Sequence, residues 1–212
     1  SYLFLYLLLM NEKGRFRQIY LFFLAICTLI SCKPNNKPDV SHIKVDIKIN
    51  RFEQDLYQGK GKSIAETDAK LRTKYGYFYD DFIKRMVGTP DMQSSEVLNI
   101  LYQNQAFTDL YKEIDSVYPN LNQTEKDLTE SFKYIKYYYP KTKIPRFVSF
   151  LSGFAYQVPI GDDYLGIGLD MFLGKDSKFY KAIVQSVPMY ASRRFTPGYI
   201  TPRITEVFAR EE

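Results

Sequence analysis

Residues 19–30, Ile-Tyr-Leu-Phe-Phe-Leu-Ala-Ile-Cys-Thr-Leu-Ile, form an apolar run that constrains this 212-residue chain more than any other segment. A helix needs roughly 20 apolar residues to cross a bilayer, so the run is too short for a permanent span. It follows a basic stretch that opens at Met10 and carries Lys13, Arg15 and Arg17. A basic region followed by a short apolar one is the profile of a secretory signal. Residues 1–9 lack an initial Met and precede a natural start at Met10, so they read as translated upstream sequence.

The run ends on Leu29, Ile30, Ser31 and Cys32, which resembles the lipobox of bacterial lipoproteins. That resemblance implies cleavage between Ser31 and Cys32 and a diacylglyceryl thioether on the Cys32 thiol. Each buried CH₂ of such a chain adds about 0.8 kcal/mol of membrane affinity. The expected organisation is a signal peptide over 1–31, a lipidated tether over 32–42 and a single globular domain over 43–212. The tether is polar and interrupted by Pro34 and Pro38, as a linker should be. Cys27 leaves with the signal, so the mature chain keeps one cysteine and no disulfide. The sequence stops inside a charged helical pattern, and it is expected to be truncated at its C-terminus.

The chain is long enough to bury a sizeable core, since 45% of it is hydrophobic and 17% aromatic. With 19 Tyr, 16 Phe and no Trp, that core must take in tyrosines whose hydroxyls need hydrogen-bond partners. The net charge of +5 is spread along the chain, and three of its basic residues lie in the signal. Nucleic-acid binding normally shows as a concentrated basic face, so it is not expected.

Periodicity gives a mixed helical domain with a β-hairpin or sheet, of the α/β or α+β class. Residues 43–49 alternate apolar and charged, a strand with one buried face. A helix is expected over 63–74, with Ser63 as N-cap and Glu66 completing a capping box. Tyr77, Phe78, Phe82 and Met86 continue a helical stripe. Thr89-Pro90 reads as the start of a long helix through Val97, Leu101, Phe107, Leu110, Ile114 and Val117. A second, through Leu121, Leu128, Phe132, Ile135 and Tyr139, completes an antiparallel pair. Residues 146–158 and 164–170 are rich in β-formers about the turn residues Gly161, Asp162 and Asp163, and read as a hairpin. Helices are expected over 176–186 and from Thr201-Pro202 to the end.

Few constellations point to chemistry. Residues 59–63, Gly-Lys-Gly-Lys-Ser, resemble the tail of a phosphate-binding loop but have Leu56 where its first glycine belongs. Gly166-Ile-Gly168 lacks the third glycine of a dinucleotide fingerprint, and close backbone packing explains it better. The sole histidine, His42, cannot supply a triad or a zinc site from a linker. Asp80-Asp81 and Asp162-Asp163 are read as solvated pairs pointing apart. Asp170, at the end of an apolar strand, is the candidate functional or structural carboxylate. The favoured reading is a structural ion pair with Arg193 or Arg194. No catalytic residue, metal ligand or cofactor is assigned.

Taken with the lipobox, the blocks Arg51-Phe-Glu-Gln-Asp-Leu-Tyr57, Tyr75-Gly-Tyr-Phe-Tyr-Asp-Asp81, Ser152-Gly-Phe-Ala-Tyr-Gln-Val158, Leu165-Gly-Ile-Gly-Leu-Asp-Met-Phe-Leu-Gly174 and Arg193-Arg-Phe-Thr-Pro197 resemble the gliding motility lipoprotein B (GldB) family. The resemblance implies a lipoprotein of the gliding machinery, which is tied to type 9 secretion. It would be anchored to a membrane of the cell envelope through acylated Cys32, facing the periplasm, with other motility or secretion proteins as partners. It also implies a scaffold distantly similar to zinc metallopeptidases. Their His-Glu-x-x-His helix cannot be drawn from one histidine, so a non-enzymatic structural or binding role leads. A degenerate or truncated metallopeptidase-like hydrolase is the rival reading, and a sugar-binding lipoprotein, suggested by the tyrosines, is a third.

Overall fold

The computed structural model describes residues 37–180, 190 and 193–211. The proposed signal peptide, its cleavage site at Ser31 and Cys32, and most of the helix expected over 176–186 lie outside these residues. A compact unit begins at Val40. Among the described residues, no helix is long and apolar enough to cross a membrane.

The domain is mixed α and β. Among the described residues its sheet has three strands, β1 (Ile49–Arg51), β2 (Arg146–Phe150) and β3 (Tyr164–Gly168), in the order β1-β2-β3. Both pairings are parallel, with Ile49 opposite Phe147 and Phe147 opposite Leu165. The described α-helices are α1 (Phe52–Gln58), α2 (Ile64–Tyr75), α3 (Tyr77–Asp81), α4 (Ser94–Gln103), α5 (Gln105–Val117), α6 (Asn122–Tyr138) and α7 (Ile200–Glu211). A π-helical turn, Phe82–Val87, extends α3.

Helices cover both faces of the sheet and divide the core in two. On one face Phe147, Leu165, Ile167 and Leu169 pack with Leu110 and Ile114 of α5, Leu128 and Phe132 of α6, and Ile204 and Phe208 of α7. On the other, Val148, Phe150 and Tyr164 meet Phe52 and Leu56 of α1, Leu71 and Tyr75 of α2, Phe78 of α3 and Leu98 of α4. Every residue of β3 is buried, which is the condition of a parallel strand covered on both sides. The tyrosines of this core are partnered as their chemistry demands. Tyr75, Tyr79 and Tyr164 donate to Asp55, Asp68 and Asp81, and Tyr102 to the Leu56 carbonyl. Burial pushes the Tyr102 hydroxyl up to about 12.

Several expectations need correction. The strands of the expected hairpin, β2 and β3, run parallel. The hairpin that does exist joins β3 to residues 157–161. Gly161 N–H donates to the Tyr164 carbonyl, Gly166 N–H to Pro159 and Gly168 N–H to Gln157, and Ile160 bridges Leu165 in antiparallel sense. The turn residues therefore do reverse the chain, but the first arm is the segment after β2. Residues 43–48 keep the expected alternation of burial without a strand ladder, which begins only at Ile49. Their edge is covered by α6 instead. Ile47 N–H donates to the Thr129 hydroxyl at 3.0 Å and Ile49 N–H to the Glu125 carboxylate at 2.9 Å. Such cover removes an exposed strand edge.

The helix expected from Thr89-Pro90 starts at Ser94 and is broken at Asn104. The Asn104 side chain accepts the Phe107 N–H at 3.2 Å, so this residue caps a new helix. The helix that packs most closely on α6 is α7, with Phe132 and Phe208 rings 5.0 Å apart. The capping of α2 by Ser63, through the Glu66 N–H, is as expected. So is the start of the last helix, to within one residue.

Candidate functional site

Because the three strands are parallel, their carboxyl ends share one edge of the domain, where α/β sheets commonly build their sites. Two buried carboxylates lie there. Arg51 closes β1 and Glu53 stands in the first turn of α1. One Glu53 oxygen is paired with Arg51 Nε, and the other accepts the Ser149 hydroxyl of β2 at 2.8 Å. Arg51 also donates from Nη2 to the Tyr118 carbonyl at 3.0 Å. Burial pushes the Glu53 carboxyl above its ordinary range, opposed by the Arg51 charge and these hydrogen bonds.

Asp170 lies two residues past the end of β3 and is wholly buried. Its oxygens accept the Ser152 N–H at 3.1 and 3.2 Å, the Ser152 hydroxyl at 2.9 Å and the Phe154 N–H at 2.5 Å. Burial raises this carboxyl too, against the pull of those donors. The Ser152 hydroxyl oxygen in turn accepts the N–H groups of Ala155 and Tyr156, both at 3.1 Å. The pair thus pins a loop that must turn sharply after β2, with Gly153 at φ 65° and Phe154 at φ 67°. A positive φ at a phenylalanine is costly and persists only where the surroundings fix it.

This geometry revises the expected partner of Asp170. Arg193 and Arg194 are not its partners: Arg193 is exposed, and Arg194 lies over the Tyr199 ring, 5.8 Å from its centre. The structure brings Asp170 to Ser152 and Phe154 instead. Sequence reasoning missed Glu53. Its signal was present, since Glu53 shares a helical face with the apolar Leu56, three residues on. Asp80 and Asp81 have different partners. Asp80 pairs with Arg72 and Asp81 with Arg85 and Tyr164, while Asp163 pairs with Arg146. His42 is exposed in a turn. Among the described residues, no three or more His, Cys, Asp or Glu side chains gather as metal ligands would.

Beside the pinned loop, a cavity of about 260 Å³ opens between residue 157 and the start of α7. Gln157, Tyr190, Arg194, Tyr199, Arg203 and Glu206 line it. Arg203 is held in place, donating from Nε to Gln157 at 2.9 Å and pairing with Glu206 at 3.1 Å. The combination of aromatic faces, fixed guanidinium and carboxylate suits a polypeptide surface carrying aromatic and charged side chains.

The family described as gliding motility protein GldB matches this chain over residues 33–212. No curated protein and no solved structure matches it.

Proposed function

Since the chain belongs to the GldB family of gliding motility proteins, we propose that it is a lipid-anchored, non-enzymatic component of the gliding machinery that works by binding other proteins. The lipid is carried by Cys32 after cleavage at Ser31, and the domain faces the periplasm. The observation that carries the binding role is the division of labour at the carboxyl edge of the sheet. Glu53 and Asp170 commit their oxygens to the chain's own donors, so they serve as structural staples. The open crevice beside the loop that Asp170 pins presents Arg194, Tyr199 and Arg203 to a partner. The match begins at Lys33, the residue after Cys32, which fits a mature chain starting at that cysteine. A hydrolase on a metallopeptidase-like scaffold would need ligands beyond the single histidine, His42.

The crevice is tested by restoring a deletion strain with Arg194→Ala/Tyr199→Ala. These side chains are outside the two cores, so the variant should reach wild-type abundance while colony spreading falls severalfold. Full spreading at wild-type abundance would remove the crevice from the binding role.

A further inference from the structure

The opposite edge of the domain, where the strands begin, carries an unusual surface. Helix α6 ends in Tyr137 and Tyr138, with Tyr139 directly after, and these are 44%, 63% and 55% exposed. Lys141 and Lys143 follow, and a shallow depression of about 680 Å³ runs over residues 138–143. Lys136 donates to the carbonyls of Pro140 and Thr142, so the turn that displays these groups is fixed. The sequence has no acidic residue from Ser131 to Gly161, while Lys133, Lys136, Lys141, Lys143 and Arg146 fall within that stretch. Of these, Lys133 pairs with Glu130 and Arg146 with Asp163, which leaves Lys141 and Lys143 as the outward charge.

One register brings the entry of the domain toward this surface. Ile49 and Ile47 donate to Glu125 and Thr129, so the extended chain runs antiparallel to α6, two residues to each helical turn. Carried back, that register sets residues 43–45 along the last turns of α6. The chain from Cys32 to Val40 spans at most about 28 Å when fully extended, so a lipid on Cys32 keeps Val40 within that distance of a bilayer.

We propose that the surface of Tyr137, Tyr138, Tyr139, Lys141 and Lys143 is where the domain rests on an anionic bilayer, the tyrosines at the headgroup level and the lysines on phosphate. Tyrosine favours the membrane–water interface, and lysines beside it add attraction to anionic lipid. This rests on the lipid anchor proposed above. It sets the strand-entry edge toward the membrane and turns the Arg194 crevice outward to partners.

The chain has no tryptophan, so a single introduced indole reports alone. The acylated full chain carrying Tyr138→Trp is placed in vesicles of phosphatidylethanolamine and phosphatidylglycerol, with bromine on the acyl chains just below the headgroup. Tyr190 is 76% exposed and lies beside the crevice, so Tyr190→Trp serves as the reporter for the far edge. Emission from the Tyr138→Trp protein should shift to the blue and be quenched severalfold more than emission from the Tyr190→Trp protein. Most of that quenching should vanish on Lys141→Glu/Lys143→Glu, or when phosphatidylcholine replaces the anionic lipid. Tyr137→Trp should repeat the result. If the protein floats with the vesicles and the indole at position 138 is quenched no more than the one at position 190, the resting surface is refuted while the anchor stands. If the protein does not float at all, both the anchor and the resting surface are refuted.

Discussion

Asp170 receives two N–H groups and one hydroxyl in a site closed to solvent, and each donor belongs to the loop it pins. Asn at this position keeps one acceptor and turns an amide N–H₂ toward donors, leaving buried groups unpaired. Each such group costs roughly 1–3 kcal/mol, so Asp170→Asn should lower unfolding stability by about 3 kcal/mol in urea titration. Spreading of cells should then fall only as far as protein abundance falls. A stable, abundant Asp170→Asn protein that fails to support gliding would instead mark this carboxylate as functional. The sequence places Asp170 at the end of a buried strand and signals its need for partners. It points to the wrong ones, because a charge in a sequence suggests a countercharge, whereas backbone donors leave no trace in residue identity. Glu53 is legible only as a carboxylate on an apolar helical face; its partners are not, since Ser149 lies 96 residues away.

At the level of elements, the direction of pairing is the hardest quantity to read. Residues 147–150 and 164–168 are buried without a break, and unbroken burial is the mark of a parallel strand covered on both faces. The turn at Gly161 suggests a hairpin between them, but its first arm is residues 157–161, after the chain has crossed the end of the sheet. The close approach of that arm explains the glycines of β3. A Cβ at Gly168 would collide with the Tyr156 carbonyl oxygen, and one at Gly166 would lie 2.7 Å from Pro159. Backbone on the facing side cannot yield as a flexible side chain can. Gly168→Val should therefore cost about 3 kcal/mol, and Gly168→Ala should also destabilise, both read from thermal and urea unfolding. A Gly168→Val protein as stable as wild type would contradict the packing of residues 157–161 against β3. The break at Asn104 escapes periodicity because apolar spacing continues across it, and only the capping side chain divides α4 from α5.

On the scale of the whole molecule, a parallel sheet gives the domain two unlike edges. The strand-entry edge carries the three tyrosines at the end of α6 and the lysines after them. The carboxyl edge gathers two stapled carboxylates and the crevice at α7. The proposed tether at one edge and crevice at the other would suit a fixed component of the gliding machinery, and the chain belongs to the GldB family of gliding motility proteins. The proposed lipid attachment is at the Cys32 thiol. Cells expressing the wild-type chain or Cys32→Ser are grown with a labelled fatty acid, and the protein is recovered and counted. The wild type should carry label in the membrane fraction, and Cys32→Ser should persist as an unprocessed precursor with none. Label on the Cys32→Ser protein at the wild-type level would contradict the account.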